Sequence, residues 1–109
     1  MSVSDTRVVD ILSTDEVTGE SVLTISDHLE WDDPEHLLTL QEKLNTYLAF
    51  IESGEIEEQI PNALAGKIRI DLVALNEPTM KAVEFLLQAQ AVIREAGFEF
   101  CWEVWSGDV

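Results

Sequence analysis

The chain reads as an α+β domain, an α/β two-layer sandwich in the order β-β-α-β-α-β, with a four-stranded mixed sheet carrying two helices on one face. Three observations predict it. Residues 67–74 and 98–105 alternate apolar and polar side chains with a period of two, the pattern of a half-buried strand. Two longer stretches instead place apolar residues three and four apart, the pattern of a helix with one buried stripe. Ahead of them, two β-rich runs flank a segment of turn composition, which reads as a hairpin.

The elements follow in order. Residues 8–12 form the first strand, and 13–19 the turn, where Gly19 suits a left-handed backbone position. Residues 21–26 form the second strand. Pro34 is preorganised for a helix start, and Asp33 before it is placed to cap the free N–H groups. From Pro34 to about Ser53, Leu37, Leu40, Leu44, Tyr47, Leu48 and Ile51 make the buried stripe, Gly54 supplies the stop, and Trp31 is placed to pack back on Leu37. Tyr47 is expected at the edge of the core with its hydroxyl at the rim. Residues 55–66 form a connection with room for one helical turn, broken by Pro61 and Gly66. Ile68, Ile70, Leu72 and Ala74 share one face of the third strand. Asn76 or Glu77 caps the second helix, whose stripe is Val83, Leu86, Leu87, Gln90 and Ile93 and which ends at Ala96-Gly97. Phe98, Phe100, Trp102 and Val104 face the core from the last strand. A helix between strands implies a crossover, and two crossovers advancing the same way leave both helices on one face. The simplest strand order is 1-2-3-4.

With 109 residues the chain is expected to be a single domain, 1–109, long enough to bury one core without disulfide or metal staples. Its 46% apolar content excludes a wholly disordered chain. No apolar run approaches the roughly 20 residues that span a bilayer. Residues 1–5 lack the basic start and apolar stretch of a secretory signal, and the single cysteine, Cys101, has no intrachain partner, so a cytoplasmic setting is expected.

Charge is the most unusual property. Twenty-two acids against six bases give a net charge of −16. Residues 1–66 carry 15 acids and 2 bases, residues 67–109 carry 7 acids and 4 bases. Such a field keeps a protein soluble, and it also selects partners. No basic patch exists to release phosphate counterions, so no nucleic acid is expected, and an anionic membrane surface repels the chain equally. A basic protein or a cation is what the field attracts.

Both histidines fall in one acidic segment, Asp27-His28-Leu29-Glu30-Trp31-Asp32-Asp33-Pro34-Glu35-His36. Asp27, His28, Glu30, Asp32 and His36 are donor types that bind zinc or manganese or carry acid–base chemistry. Their spacing fits no established metal signature, and acids before a helix are already explained by its dipole and by capping. No catalytic residue, metal site or cofactor is therefore assigned. Asp27, His28, Glu30, Trp31, Asp32, His36 and Trp105 stand as candidate binding residues. The sheet face away from the helices is expected to carry Asp10, Thr24, Arg69, Asp71, Glu99 and Glu103 with Leu12, Val22, Val73, Cys101 and Trp105. That face is either plainly solvated or a pairing surface, with Trp105 as its anchor. Cys101 has no cation beside it to stabilise a thiolate, and the glycines are scattered singly, so neither a cysteine nucleophile nor a phosphate loop is read. The acids Glu52, Glu55, Glu57 and Glu58 fit a solvated loop or a landing strip for a basic partner.

The segment 25–31, the helix 40–55 with its Leu40-Gln41-Glu42-Lys43 run, and the ending Glu95-Ala96-Gly97-Phe98 resemble a family of short acidic bacterial proteins catalogued only as a domain of unknown function. Asp27 and His28 belong to the shared pattern. The resemblance implies a bacterial, cytoplasmic, stand-alone domain and transfers no activity. The expectation is a non-enzymatic protein-binding module that meets a basic protein, an inhibitor or immunity type being one concrete version. The alternatives are a metal-dependent activity in the 27–36 segment and a homodimer through the sheet face around Val73, Cys101 and Trp105.

Overall fold

The computed structural model describes residues 11–104. Its elements are β1 (Ile11–Thr14), β2 (Ser21–Asp27), α1 (His36–Glu52), the single turn α2 (Ile56–Gln59), a 3-10 turn (Ala63–Ala65), β3 (Ile68–Ala74), α3 (Met80–Glu95) and β4 (Glu99–Val104). The sheet order is β1-β2-β3-β4. β1 pairs antiparallel with β2, whereas β2–β3 and β3–β4 are parallel, as helical crossovers require.

Burial along β3 alternates strictly. Ile68, Ile70, Leu72 and Ala74 are buried, and Arg69, Asp71 and Val73 are half-buried. The buried set joins Leu23 and Ile25 of β2, Phe100 of β4, Leu40, Leu44, Tyr47 and Ile51 of α1, and Ala82, Leu86 and Ile93 of α3 in one core. Both long helices therefore cover the same sheet face. No helix among the described residues covers the other face, and none is long and apolar enough to cross a membrane.

Several local expectations are corrected. β1 runs on to Thr14, two residues past its expected end, while residues 8–10 lie outside the described residues. Its register sets Leu12 opposite Leu23, and directly paired residues share a face. Leu12 thus packs against the core side and not on the open face. The turn residues fix this register, and a shift of one residue reverses every side chain. α1 starts at His36, two residues later than the proline suggests. The Asp33 carboxylate accepts the Glu35 N–H at 2.9 Å and its carbonyl accepts the His36 N–H at 3.0 Å, so Asp33 closes the turn before the helix. α3 is capped by Thr79, whose hydroxyl accepts from the Ala82 N–H at 3.1 Å, and Asn76 is used elsewhere. Gly54 and Gly97 stop the two long helices with φ of +88° and +98°, where a Cβ would be strained. Val104, expected to face the core, is exposed at the end of β4, an edge strand.

Tyr47 is fully buried, not at the rim, and its hydroxyl donates to the Thr24 carbonyl at 3.1 Å. Lys43, also fully buried, holds its ammonium 5.4 Å from the centre of the Tyr47 ring. Its position on the apolar stripe, three after Leu40 and four before Tyr47, is the sequence signal of that burial.

Candidate functional site

The candidate segment folds as the loop from the end of β2 to the start of α1. It brings together three of the sequence-predicted residues, Asp27, Trp31 and His36. Asp27 is the last residue of β2, and its side chain turns to the core side, where His36 opens α1. His36 Nε2 lies 2.5 Å from Asp27 Oδ2, and both side chains are fully buried. The other ring nitrogen, Nδ1, is 2.9 Å from the Glu30 carbonyl oxygen. A carbonyl only accepts, so Nδ1 carries its proton and donates. Nε2 faces Oδ2 as its hydrogen-bond partner. Asp27 Oδ1 is also occupied and accepts the Leu29 N–H at 3.1 Å.

The Trp31 ring stacks on His36 with centroids 4.0 Å apart and planes 20° from parallel. Leu37, the expected partner of Trp31, is half-buried and packs against the core cluster that contains Trp31. Trp31 Nε1 donates to the Asn76 carbonyl at 2.7 Å, and Asn76 Nδ2 donates back to the Leu29 carbonyl at 3.1 Å. The Leu75 N–H donates to the Asp27 carbonyl at 2.8 Å. These contacts tie the loop after β2 to the loop after β3. Asn76 was expected only as a helix cap, and its place one residue after an exposed leucine gave no signal of this tie.

The remaining candidates do not converge. His28, Glu30 and Asp32 have exposed side chains, and Glu30 contributes through its backbone carbonyl. Trp105 lies outside the described residues. Among the described residues, no group of three or more His, Cys, Asp or Glu side chains gathers as metal ligands would. A shallow concavity beside Asp27 is lined by Ser26, His28, Val73 and Leu75. The polar atoms of Asp27 are engaged with His36 and Leu29 rather than presented to it. In this geometry the Asp27–His36 pair closes the loop from β2 to α1.

The uncovered sheet face is electrostatically distinctive. Register sets Val22, Arg69 and Glu99 in one row, Thr24, Asp71 and Cys101 in the next, and Ser26, Val73 and Glu103 in a third. Arg69 is engaged by three carboxylates. It donates through Nε to Asp71 at 2.8 Å and through Nη1 to Glu20 at 2.7 Å, while Nη2 is 3.2 Å from the second Asp71 oxygen and 3.5 Å from Asp15. Asp71 foremost holds the guanidinium more firmly protonated than usual. The N–H groups of Val17 and Thr18, with a smaller contribution from Arg69, hold the Asp15 carboxyl below the ordinary aspartate range. Partial burial and then the Asp71 carboxylate push the exposed Cys101 thiol up. Glu20 and Asp15, both in the hairpin turn, were not foreseen as partners of Arg69.

Fold and site together define a small two-layer α/β domain with an internally latched loop pair and an acidic sheet face that no helix among the described residues covers, although Val22 in its first row is buried. The chain belongs to a family of unknown function (DUF6572), whose model matches residues 1–106. No curated protein and no solved structure matches it.

Proposed function

We propose that this protein is a non-enzymatic binding module that receives a basic protein partner on the sheet face away from its helices. The single observation that carries the reading is the state of Arg69. It is the only base in the three rows of that face described above, and three carboxylates already engage its guanidinium. A face of this kind presents surplus negative charge on a rigid, preformed scaffold, and a chain with net charge −16 adds a long-range field of the same sign. Ser26, Val73 and Glu103 form the most open row, where a partner's lysine or arginine meets Glu103 beside an apolar contact.

The test is affinity capture from the source cell's extract, at low and moderate salt, on the immobilised chain and on the variant Ser26→Lys, Glu103→Lys. Both positions are exposed, so the fold tolerates the change. A basic protein retained by the natural chain, weakened by salt and lost from the variant is the expected result. Equal retention on both, or no basic protein on either, overturns the reading.

A further inference from the structure

A second surface lies on the opposite side of the molecule. Between α1 and α3 runs a cleft of about 190 Å³ with apolar walls of Leu44, Leu48, Phe85, Ala89, Val92 and Ile93. Leu44 and Ile93 belong to the core, Leu48, Phe85 and Ala89 are half-exposed, and Val92 is 60% exposed. The polar lining, Gln41, Asn45 and Gln88, is uncharged. α1 contributes positions 41, 44, 45 and 48, and α3 contributes 85, 88, 89 and 92. Each set follows one helical stripe, so the cleft is a furrow along two helices. A furrow of this form suits the ridge of a third helix.

Charge chooses the helix. Helical spacing sets the exposed Glu84 and Glu95 along the outer margin of α3, whereas on α1 the exposed Glu52 continues the furrow stripe of 41, 45 and 48 and the exposed Glu42 faces outward beside it. Of the bases on these two helices, Lys43 is buried and Arg94 pairs with Glu99 at 3.1 Å, which leaves Lys81 near the start of α3. A second copy of the chain would bring the same glutamates and another net charge of −16 to the contact.

The geometry points to the α1–α3 furrow as the docking site for an amphipathic helix of a basic protein. Large apolar side chains of that helix, three and four residues apart, enter between Leu48, Phe85 and Val92. Lysines or arginines of that helix meet Glu84 and Glu95 along one side, Glu42 on the other, and Glu52 at the furrow's end. The inference rests on the reading that the partner is basic, and it adds a second contact surface on the helix side, separate from the sheet face.

The full chain, labelled for NMR, is titrated with a synthetic leucine–lysine peptide ordered as an amphipathic helix. A peptide of identical composition, scrambled to break the apolar stripe, has the same charge and serves as the comparison. The expected result is resonance shifts at Leu44, Leu48, Phe85, Ala89 and Val92, with affinity about tenfold or more weaker for the scrambled peptide, a difference of roughly 1.4 kcal/mol. Val92→Lys, at an exposed position that leaves the core intact, weakens the ordered peptide similarly. Shifts confined to the Ser26, Asp71 and Glu103 face, or equal affinity of the two peptides, overturn the furrow while leaving the basic-partner reading in place. Furrow shifts that grow with protein concentration before any peptide is added overturn it in favour of self-association. Absence of binding by the ordered peptide also overturns it.

Discussion

His36 and Asp27 meet side chain to side chain, 2.5 Å apart and fully buried, across the loop that joins β2 to α1. The nine-residue separation makes the contact a clasp on that loop. Every polar atom of the two side chains is engaged: Nδ1 by the Glu30 carbonyl, Nε2 and Oδ2 by each other, and Oδ1 by the Leu29 N–H. A buried polar pair stabilises only when it is satisfied in this way, and removing one partner is much costlier than replacing both.

Asp27→Ala is therefore expected to destabilise the protein by about 3–5 kcal/mol, since it strands a buried imidazole and the Leu29 N–H. Asp27→Asn keeps the acceptor for Leu29 and offers an N–H to a neutral ring, so its cost is about 1–2 kcal/mol. Urea unfolding measures both through the midpoint, with the slope unchanged. Equal losses for the two variants would contradict the assignment.

Trp31→Phe preserves stacking on His36 and removes the donor to the Asn76 carbonyl. The expected loss is about 1–2 kcal/mol, from an acceptor left without its partner. Because Trp31 and Asn76 tie two loops together, the Leu75 amide, which donates to Asp27, is expected to exchange its hydrogen faster in this variant. Unchanged exchange at Leu75 would show that the loops are held by other contacts.

Asp15 gives stability an acid-side dependence. Its carboxyl is held below the ordinary range in the folded chain, chiefly by the Val17 and Thr18 N–H groups. The unfolded chain then binds more protons, so the contribution is complete above the unfolded pKa and disappears as pH falls through the lowered folded value. Asp15→Asn retains a side-chain acceptor for the turn but cannot titrate. Below about pH 4, near the ordinary aspartate range, its stability is expected to fall less steeply than that of the natural chain. Thermal midpoints between pH 2 and pH 6 provide the comparison.

Cys101 is exposed yet expected to react slowly. Partial burial and the Asp71 carboxylate raise its thiol, so less thiolate is present at a given pH than for a free cysteine. Alkylation at neutral pH is expected to be slower than for glutathione and faster in Asp71→Asn. A rate above that of the free thiol would overturn this.

The periodicities were sufficient for the architecture. Alternation in 67–74 and the helical stripe in 34–53 depend on nearest neighbours in the chain, and the burial they predict recurs in β3 and α1; in α3 Leu86 and Ile93 are buried as expected, whereas Leu87 is exposed and Ala82 is buried instead. The candidate site was legible in part. Two histidines among acids marked the loop, but which of them turned inward depended on where β2 ended and α1 began. A two-residue change in the helix start put His36 at its first position and gave Asp27 a partner, while His28 faced outward.

From the amino acids alone came the α+β class, the single apolar stripe of each helix, the large negative charge and the stretch of chain in which polar residues gather. Those are local or additive quantities, independent of how distant segments meet. Tertiary structure alone decided that Leu12 turns inward, that Asp15 and Glu20 reach Arg69, that Asn76 holds Trp31, and that a furrow opens between α1 and α3. Each of these depends on strand register and on the spacing between helices, which arise only when residues far apart in the chain pack together.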